Sequence, residues 1–334
     1  MGAGQQHFLD RIRKWLGLLS QLCSSSSYDE NQKSSPPQSP NSVQLMLTGV
    51  QSKSSAQFGR SGLEISEGTT LMSATQEACA LVTGASSGLG IEFARELARR
   101  RYNIVLTARS TAPMELLAGE LRARYGVNVD VVPTDLSVDG AAERLTSTLD
   151  AQGLHPDTLI NNAGVGLHSR FVDQDVASIK AMLQLDIISL TELTHLYAQR
   201  MTDRGGGRIL LVGSMAAYQP IPLMAAYAAA KAYVLSFGEA LAVELAPKVG
   251  VTVLSPGLMD TGFNRTSGYT TPASLKRMEL LPATVAWIGI EAMLAGKSGV
   301  IAGRLNKVMA LSSRLFPRHF SARKALQMAE KQDG

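Results

Sequence analysis

Two cysteines in 334 residues, Cys23 and Cys79, are too few and too far apart for a disulfide framework or a thiolate metal site. They fit a reducing compartment. No stretch of about 18 or more uncharged apolar residues occurs, so no membrane-spanning helix is expected. No self-similarity recurs at a period of about 20 to 50 residues, which excludes a solenoid or propeller. A nucleic-acid-binding core is also disfavoured. The net charge is only +4, and residues 296–334 alone hold eight Lys and Arg against two Asp and Glu, so the middle of the chain is mildly acidic. What remains is a composition of 45% apolar and 18% charged residues, ordinary for a soluble globular protein with a sizeable core.

Residues 1–75 differ from the rest. Phe8, Leu9, Ile12, Trp15, Leu16 and Leu19 fall at helical spacing with Arg11, Arg13 and Lys14 between them, and a Ser-, Pro- and Gln-rich run follows from Ser24 to about Ser55. Two roles suit this stretch: an organelle-targeting or membrane-surface leader through residues 1–22, or an upstream extension with no folded role, Met72 standing directly before the first strand. A cytoplasmic protein is expected unless the leader reading holds.

From Cys79 the chain alternates strand and helix, the signature of a parallel sheet covered on both faces. Strands are predicted near 79–83, 103–108, 127–132, 157–161, 207–213, 250–255 and 299–302. Helices are predicted near 88–101, 113–125, 139–152, 174–203, 226–247 and 282–295. This gives an α/β class and one doubly wound domain over residues 76–302, followed by a basic amphipathic tail over 303–334. In that tail Leu305, Val308, Met309 and Phe316 fall at helical spacing among Arg304, Lys307, Arg314, Arg318, Arg323 and Lys324. It suits contact with an anionic membrane surface, or packing on its own domain.

The first strand runs into Thr83-Gly84-Ala85-Ser86-Ser87-Gly88-Leu89-Gly90 and then a helix. Glycines there let backbone N–H groups approach a pyrophosphate, which the helix N-terminus also attracts. About 20 residues on, such a unit places the group that reads the adenosine ribose. Arg109 stands there, with no acidic residue between Asn103 and Pro113. A carboxylate would repel a 2′-phosphate, whereas a guanidinium forks onto one, so NADP(H) is the expected cofactor. Asp135 ends the third strand and Asn161-Asn162-Ala163-Gly164 the fourth, at the carboxyl edge where ligands bind in this architecture.

Further on, Ser214 ends an apolar strand, and Tyr227 and Lys231 stand four apart in Ala225-Ala-Tyr-Ala-Ala-Ala-Lys231. A helix puts the latter two on one face, one turn apart. A phenol has an ordinary pKa near 10, and acid–base work at neutral pH calls for roughly 3 units less, about 4 kcal/mol. An ammonium about 4 Å away in a half-buried site supplies that much. Ser214 would bring a second hydrogen-bond donor.

Taken together, Thr83 to Gly90, Asp135, Asn161 to Gly164, Ser214, Tyr227 to Lys231 and Pro256-Gly257 resemble the short-chain dehydrogenase/reductase family over about residues 76–302. The resemblance implies a Rossmann-type sheet ordered 3-2-1-4-5-6-7 and a nicotinamide cofactor. It implies Tyr227 as general acid/base, Ser214 on the substrate oxygen, and Lys231 lowering the tyrosine pKa and bonding the nicotinamide ribose. Asp135 would contact the adenine, Asn162 and Gly164 would shape the cleft, and Thr261 would reach the carboxamide. One position departs from the family. Where it carries an asparagine that supports a proton relay, this chain has Asp186, which is expected to fill the same catalytic role, while a carboxylate near Lys231 would also hold the lysine's ammonium charged.

The substrate wall is expected from Leu258, Met259, Phe263, Tyr269 and Met278 facing Val165, Leu167, Met215, Tyr218, Leu223 and Met224. Its apolar character points to a hydrophobic ketone, aldehyde or secondary alcohol. A homo-oligomer, dimer or tetramer, is expected, with no nucleic acid and no metal. The competing reading is a non-catalytic nucleotide-binding or scaffold protein that keeps the fold without turnover.

Overall fold

The computed structural model describes residues 78–259, 263, 267–271, 275–313 and 317–330. Its first half alternates β1 (Cys79–Thr83), α1 (Gly88–Arg99), β2 (Asn103–Thr107), α2 (Thr111–Tyr125), β3 (Val129–Val131), α3 (Ala141–Ala151) and β4 (Thr158–Asn161). A long helical segment follows: α4 (Val176–Leu183), a π-turn (Gln184–Ser189) and α5 (Leu190–Asp203). The second half holds β5 (Gly207–Val212), α6 (Ala225–Glu244), β6 (Val249–Ser255), α7 (Pro282–Leu294), β7 (Gly299–Ile301), α8 (Arg304–Ser312) and α9 (Arg318–Glu330).

All seven strands pair in parallel in the order β3-β2-β1-β4-β5-β6-β7. Parallel strands need crossovers, and each crossover lays a helix on a face of the sheet, so both faces are buried. The apolar runs therefore divide by alternation. Val82, Leu106, Ile160, Leu210 and Leu254 pack under Phe93, Leu97, Leu121 and Ile290 on one side. Leu81, Val105, Leu159, Leu211 and Val251 pack under Leu145, Leu149, Leu193 and Tyr197 on the other. Strand order reverses between β1 and β4, which opens a crevice at the carboxyl ends of these two strands.

The helix expected over 174–203 starts as the sequence suggests, with the Asp175 carboxylate capping the N–H of Ser178 at 2.8 Å. It is not regular throughout. Residues 184–189 form a π-turn, which accommodates one residue more than an α-helix and tends to mark functional sites. The stretch is anchored on two sides: the Ser189 hydroxyl donates to the carbonyl of Leu136 at 2.6 Å, and the buried Asn161 amide donates to the carbonyl of Leu190 at 3.0 Å. Asn161, read from the sequence as part of the site edge, is thus a clamp between β4 and this helix.

Among the described residues no helix is long and apolar enough to cross a membrane, and no group of acidic, His or Cys side chains could hold a metal. Residues 1–77, and with them Cys23 and the basic amphipathic segment, lie outside the described residues, as do Arg314, Phe316 and Thr261.

Candidate active site

The glycine-rich turn is shaped by its neighbours. Gly84 has a left-handed φ of +66°, and a Cβ there would stand 2.9 Å from the Ala163 Cα. A Cβ on Gly90 would fall 2.2 Å from the Gly84 carbonyl oxygen, so no larger residue lets the first turn of α1 close on the loop. The Thr83 hydroxyl accepts from the N–H groups of Asn162 and Ala163, at 2.9 and 2.8 Å, and the Asn162 amide donates to the carbonyl of Thr83 at 2.8 Å. These bonds fasten the end of β4 to the turn after β1. The result is a cradle of backbone at the N-terminus of α1, fit for a pyrophosphate.

One cavity of about 510 Å³ runs from this cradle across the carboxyl edge of the sheet. Gly84, Ser86, Ser87, Gly88 and Leu89 line one end, with Arg109 and Asp135 beside them. Asn162, Ala163 and Gly164 line its floor, and Ser214, Tyr227, Lys231, Pro256 and Gly257 its middle. Gly90 does not reach the cavity; it serves the closure of the turn. Asp135 is occupied locally, accepting from the N–H and hydroxyl of Ser137 at 2.9 and 2.6 Å. Its exposed carboxyl lies below the usual range: slight burial raises it, but Ser137 and the nearby Arg109 outweigh that.

Tyr227 and Lys231 are both buried on one face of α6, as their spacing predicts. The lysine donates to the carbonyl of Val212 at 3.3 Å, and the Ser214 hydroxyl lies against the Tyr227 phenol. Ser214 also accepts from the N–H of Ala216 at 3.0 Å, which orients its hydroxyl at the start of a short 3-10 turn, Met215–Tyr218. Asp186 is placed behind these residues and does not line the cavity. Its Oδ2 lies 3.2 Å from Lys231 Nζ, an ion-pair contact whose angle is not that of a hydrogen bond, and its Oδ1 accepts from Val165 N–H at 2.9 Å. Asp186, expected with the catalytic group, thus meets that group through Lys231 and not through the cavity.

The protonation picture also departs from expectation. Burial pushes the Tyr227 phenol up; Lys231 pulls it down, Asp186 pushes it further up, and the outcome is above the ordinary value. The expected depression by Lys231 is present but outweighed, first by burial of the phenol and then by the Asp186 charge. Burial works against the Lys231 ammonium, but Asp186 and Tyr227 prevail and hold it above its usual value.

At the far end the cavity is walled by Val165, Met215, Tyr218, Met224, Leu258, Met259, Phe263, Tyr269 and Met278, as read from the sequence. The Tyr227 and Phe263 rings stand 5.3 Å apart. Leu167 and Leu223 do not line it. Leu223 sits at φ +66° with its carbonyl accepting from Ser169 N–H, so it shapes a turn, and Leu167 packs on the cluster around Met182. The sequence reading missed Asn306, Met309, Ser312 and Ser313, which bring α8 to this wall. Asn306 is buried and donates to the carbonyl of Ala302 at 2.6 Å. An asparagine in the first turn of a basic helix was the available signal.

Three comparisons bear on this arrangement. The sequence profile of the short chain dehydrogenases matches residues 78–271. Probable oxidoreductase EphD of Mycobacterium tuberculosis is 35% identical over 195 residues, 58% of this chain and 33% of that protein. Very-long-chain 3-oxoacyl-CoA reductase of Podospora anserina is 36% identical over 174 residues, half of each chain. The chain thus spans a third to a half of the length of these two relatives. A short-chain dehydrogenase from Sphingobium yanoikuyae, solved in complex with NADPH, superposes with a TM-score of 0.64 at 28% identity, over 75% of this chain and 95% of its own. A profile matching well over half of the chain, on a sheet of the expected order, settles the matter: this chain belongs to the short-chain dehydrogenase/reductase family.

Proposed function

We propose that this protein is an NADP(H)-dependent oxidoreductase that interconverts a hydrophobic ketone or aldehyde and its alcohol, with Tyr227 as the proton carrier. The observation that carries the reading is the single cavity in which Ser214, Tyr227 and Lys231 stand between the glycine cradle and an apolar wall. A nicotinamide dinucleotide bound there supplies or accepts the hydride. Everything else falls to the chain. Ser86 to Leu89 meet the pyrophosphate with backbone N–H groups, and Arg109 forks onto a 2′-phosphate. Tyr227 gives its proton to the carbonyl oxygen as negative charge grows there, and Ser214 donates a second hydrogen bond to the same oxygen. Lys231 holds the ribose side of the site. The apolar wall excludes water and seats the substrate's hydrocarbon body.

The preference for the phosphorylated cofactor rests on Arg109 at the cradle end of the cavity and is supported by the NADPH complex of the Sphingobium relative. The carbonyl substrate class rests on the wall and is supported by the reductase name of the Podospora relative. The catalytic unit is assigned to residues 76–302 together with α8. Spectrophotometric NADPH oxidation against a panel of apolar ketones, aldehydes and 3-oxoacyl thioesters tests the reading. Turnover with at least one of them, and slower turnover with NADH, is expected. Tight NADPH binding with no turnover on the whole panel would overturn it.

A further inference from the structure

The π-turn carries Asp186 inward until none of its surface is exposed. A carboxylate so placed is costly unless an opposite charge and hydrogen-bond donors meet it. Both do. Val165 N–H serves Oδ1 at 2.9 Å, and Lys231 Nζ stands 3.2 Å from Oδ2. Gly164 leaves the room for this meeting: a Cβ there would lie 3.2 Å from both Asp186 Oδ1 and Lys231 Nζ. Lys231 is 4% exposed, and the other partner of its ammonium is the uncharged Val212 carbonyl.

The groups that act on each member of the site are few. Tyr227 is faced by Lys231, Asp186 and the Ser214 hydroxyl; Lys231 by Asp186 and Tyr227; Asp186 by Lys231 and the Val165 N–H. The phenol therefore meets one positive and one negative charge. A lone ammonium favours the phenolate, but an ammonium paired at 3.2 Å acts as a dipole, whose field at the phenol is far weaker.

We propose that Asp186 is a positioning residue that cancels the charge of Lys231 as Tyr227 meets it, keeping the phenol neutral through the working range and setting the site to give a proton to a carbonyl oxygen rather than to take one from an alcohol. The inference rests on the Tyr227 role proposed above, and its test separates the two. In the cofactor-free protein, tyrosinate absorbance is titrated in the wild type and in Asp186→Asn, each against the same protein carrying Tyr227→Phe. Asn keeps an acceptor for Val165 N–H without the charge; Asp186→Ser is the second variant should the first not fold. The wild type should show no Tyr227 ionisation up to about pH 9, one unit below the ordinary phenol value of about 10. The uncharged variant should show it within that range. Ionisation of wild-type Tyr227 below that pH, or silence in the folded uncharged variants, overturns the inference.

Kinetics give the second arm. Alcohol oxidation uses the phenolate and rises with pH, so removing the Asp186 charge should move its rising limb about one unit lower. Near neutral pH, kcat for oxidation should then increase about tenfold, with NADP+ affinity held within a few-fold. Carbonyl reduction uses the neutral phenol, and its falling limb should move lower by the same amount. Superimposed profiles overturn the inference. A protein that turns over no carbonyl or alcohol at all removes the proposed function, while the titration still decides what Asp186 does to Tyr227.

Discussion

The two ends of the cavity are built by different means. At the cradle end, the anchors are hydrogen bonds between adjacent parallel strands: the Thr83 hydroxyl accepts from the N–H groups of Asn162 and Ala163, and Ala85 N–H donates to the carbonyl of Thr107. At the substrate end, the wall is assembled from side chains of separate stretches: Met215, Tyr218 and Met224, then Leu258, Met259, Phe263, Tyr269 and Met278, then Asn306 and Met309. The first end repeats what the sheet imposes; the second can vary in sequence while the sheet stays as it is. Binding of a common cofactor and choice of a particular substrate are therefore assigned to separate pieces of chain, with Tyr227 at the border.

The border residue should give the largest effect. Tyr227→Phe is expected to remove turnover by a hundredfold or more, about 2.7 kcal/mol or above, while NADPH affinity measured by fluorescence stays within a few-fold. Residual activity above about a tenth of wild type would show that the proton comes from elsewhere. At the cradle end, Arg109→Asp should move the ratio of kcat/KM for NADPH over NADH by at least tenfold toward NADH, about 1.4 kcal/mol. A smaller change would mean that another group reads the phosphate. At the substrate end, Met309→Ala should alter KM for a bulky apolar carbonyl a few-fold and leave NADPH affinity alone, since Met309 is partly exposed on the wall. A change in cofactor affinity with no change in KM would erase the division between the ends. Smallest in catalytic terms is Asn161→Ala. Loss of its buried bonds to Leu190 and Thr194 should cost about 1–3 kcal/mol, a fall in Tm of several degrees by calorimetry, with NADPH affinity little changed.

Legibility in the sequence followed the same division. Strands β1 to β7 were readable because they are short, mostly apolar runs between turn residues, and their observed bounds lie within two residues of the predicted ones. Gly84, Gly88, Tyr227 and Lys231 were readable because their spacing alone fixes a loop and a helix face. The π-turn at Gln184–Ser189 was not, since Gln-Leu-Asp-Ile-Ile-Ser has no breaker and its widening is held by Leu136 and Asn161, distant in sequence. The outcome for Tyr227 was misread for a related reason. Spacing shows that a lysine is near, but only the fold shows that burial and the Asp186 charge outweigh it at the phenol. The share of α8 in the wall was hidden too, because its place depends on where β7 leaves the sheet.

The extra residue of the π-turn sets the angular phase of everything after it. Each residue of a regular helix turns the chain by about 100°. Deleting one residue between Gln184 and Ser189 would let the helix run regularly from Val176 to Asp203, but one side of the splice would then have to rotate. If α4 kept its phase, Leu190, Leu193 and Tyr197 would swing off the sheet they now cover. If α5 kept its phase, the residues before the splice would rotate instead and Asp186 would leave Lys231. A single-codon deletion there should thus be felt either as instability or as a shifted pH response, whereas the same deletion in the loop between β4 and α4 leaves this phase untouched.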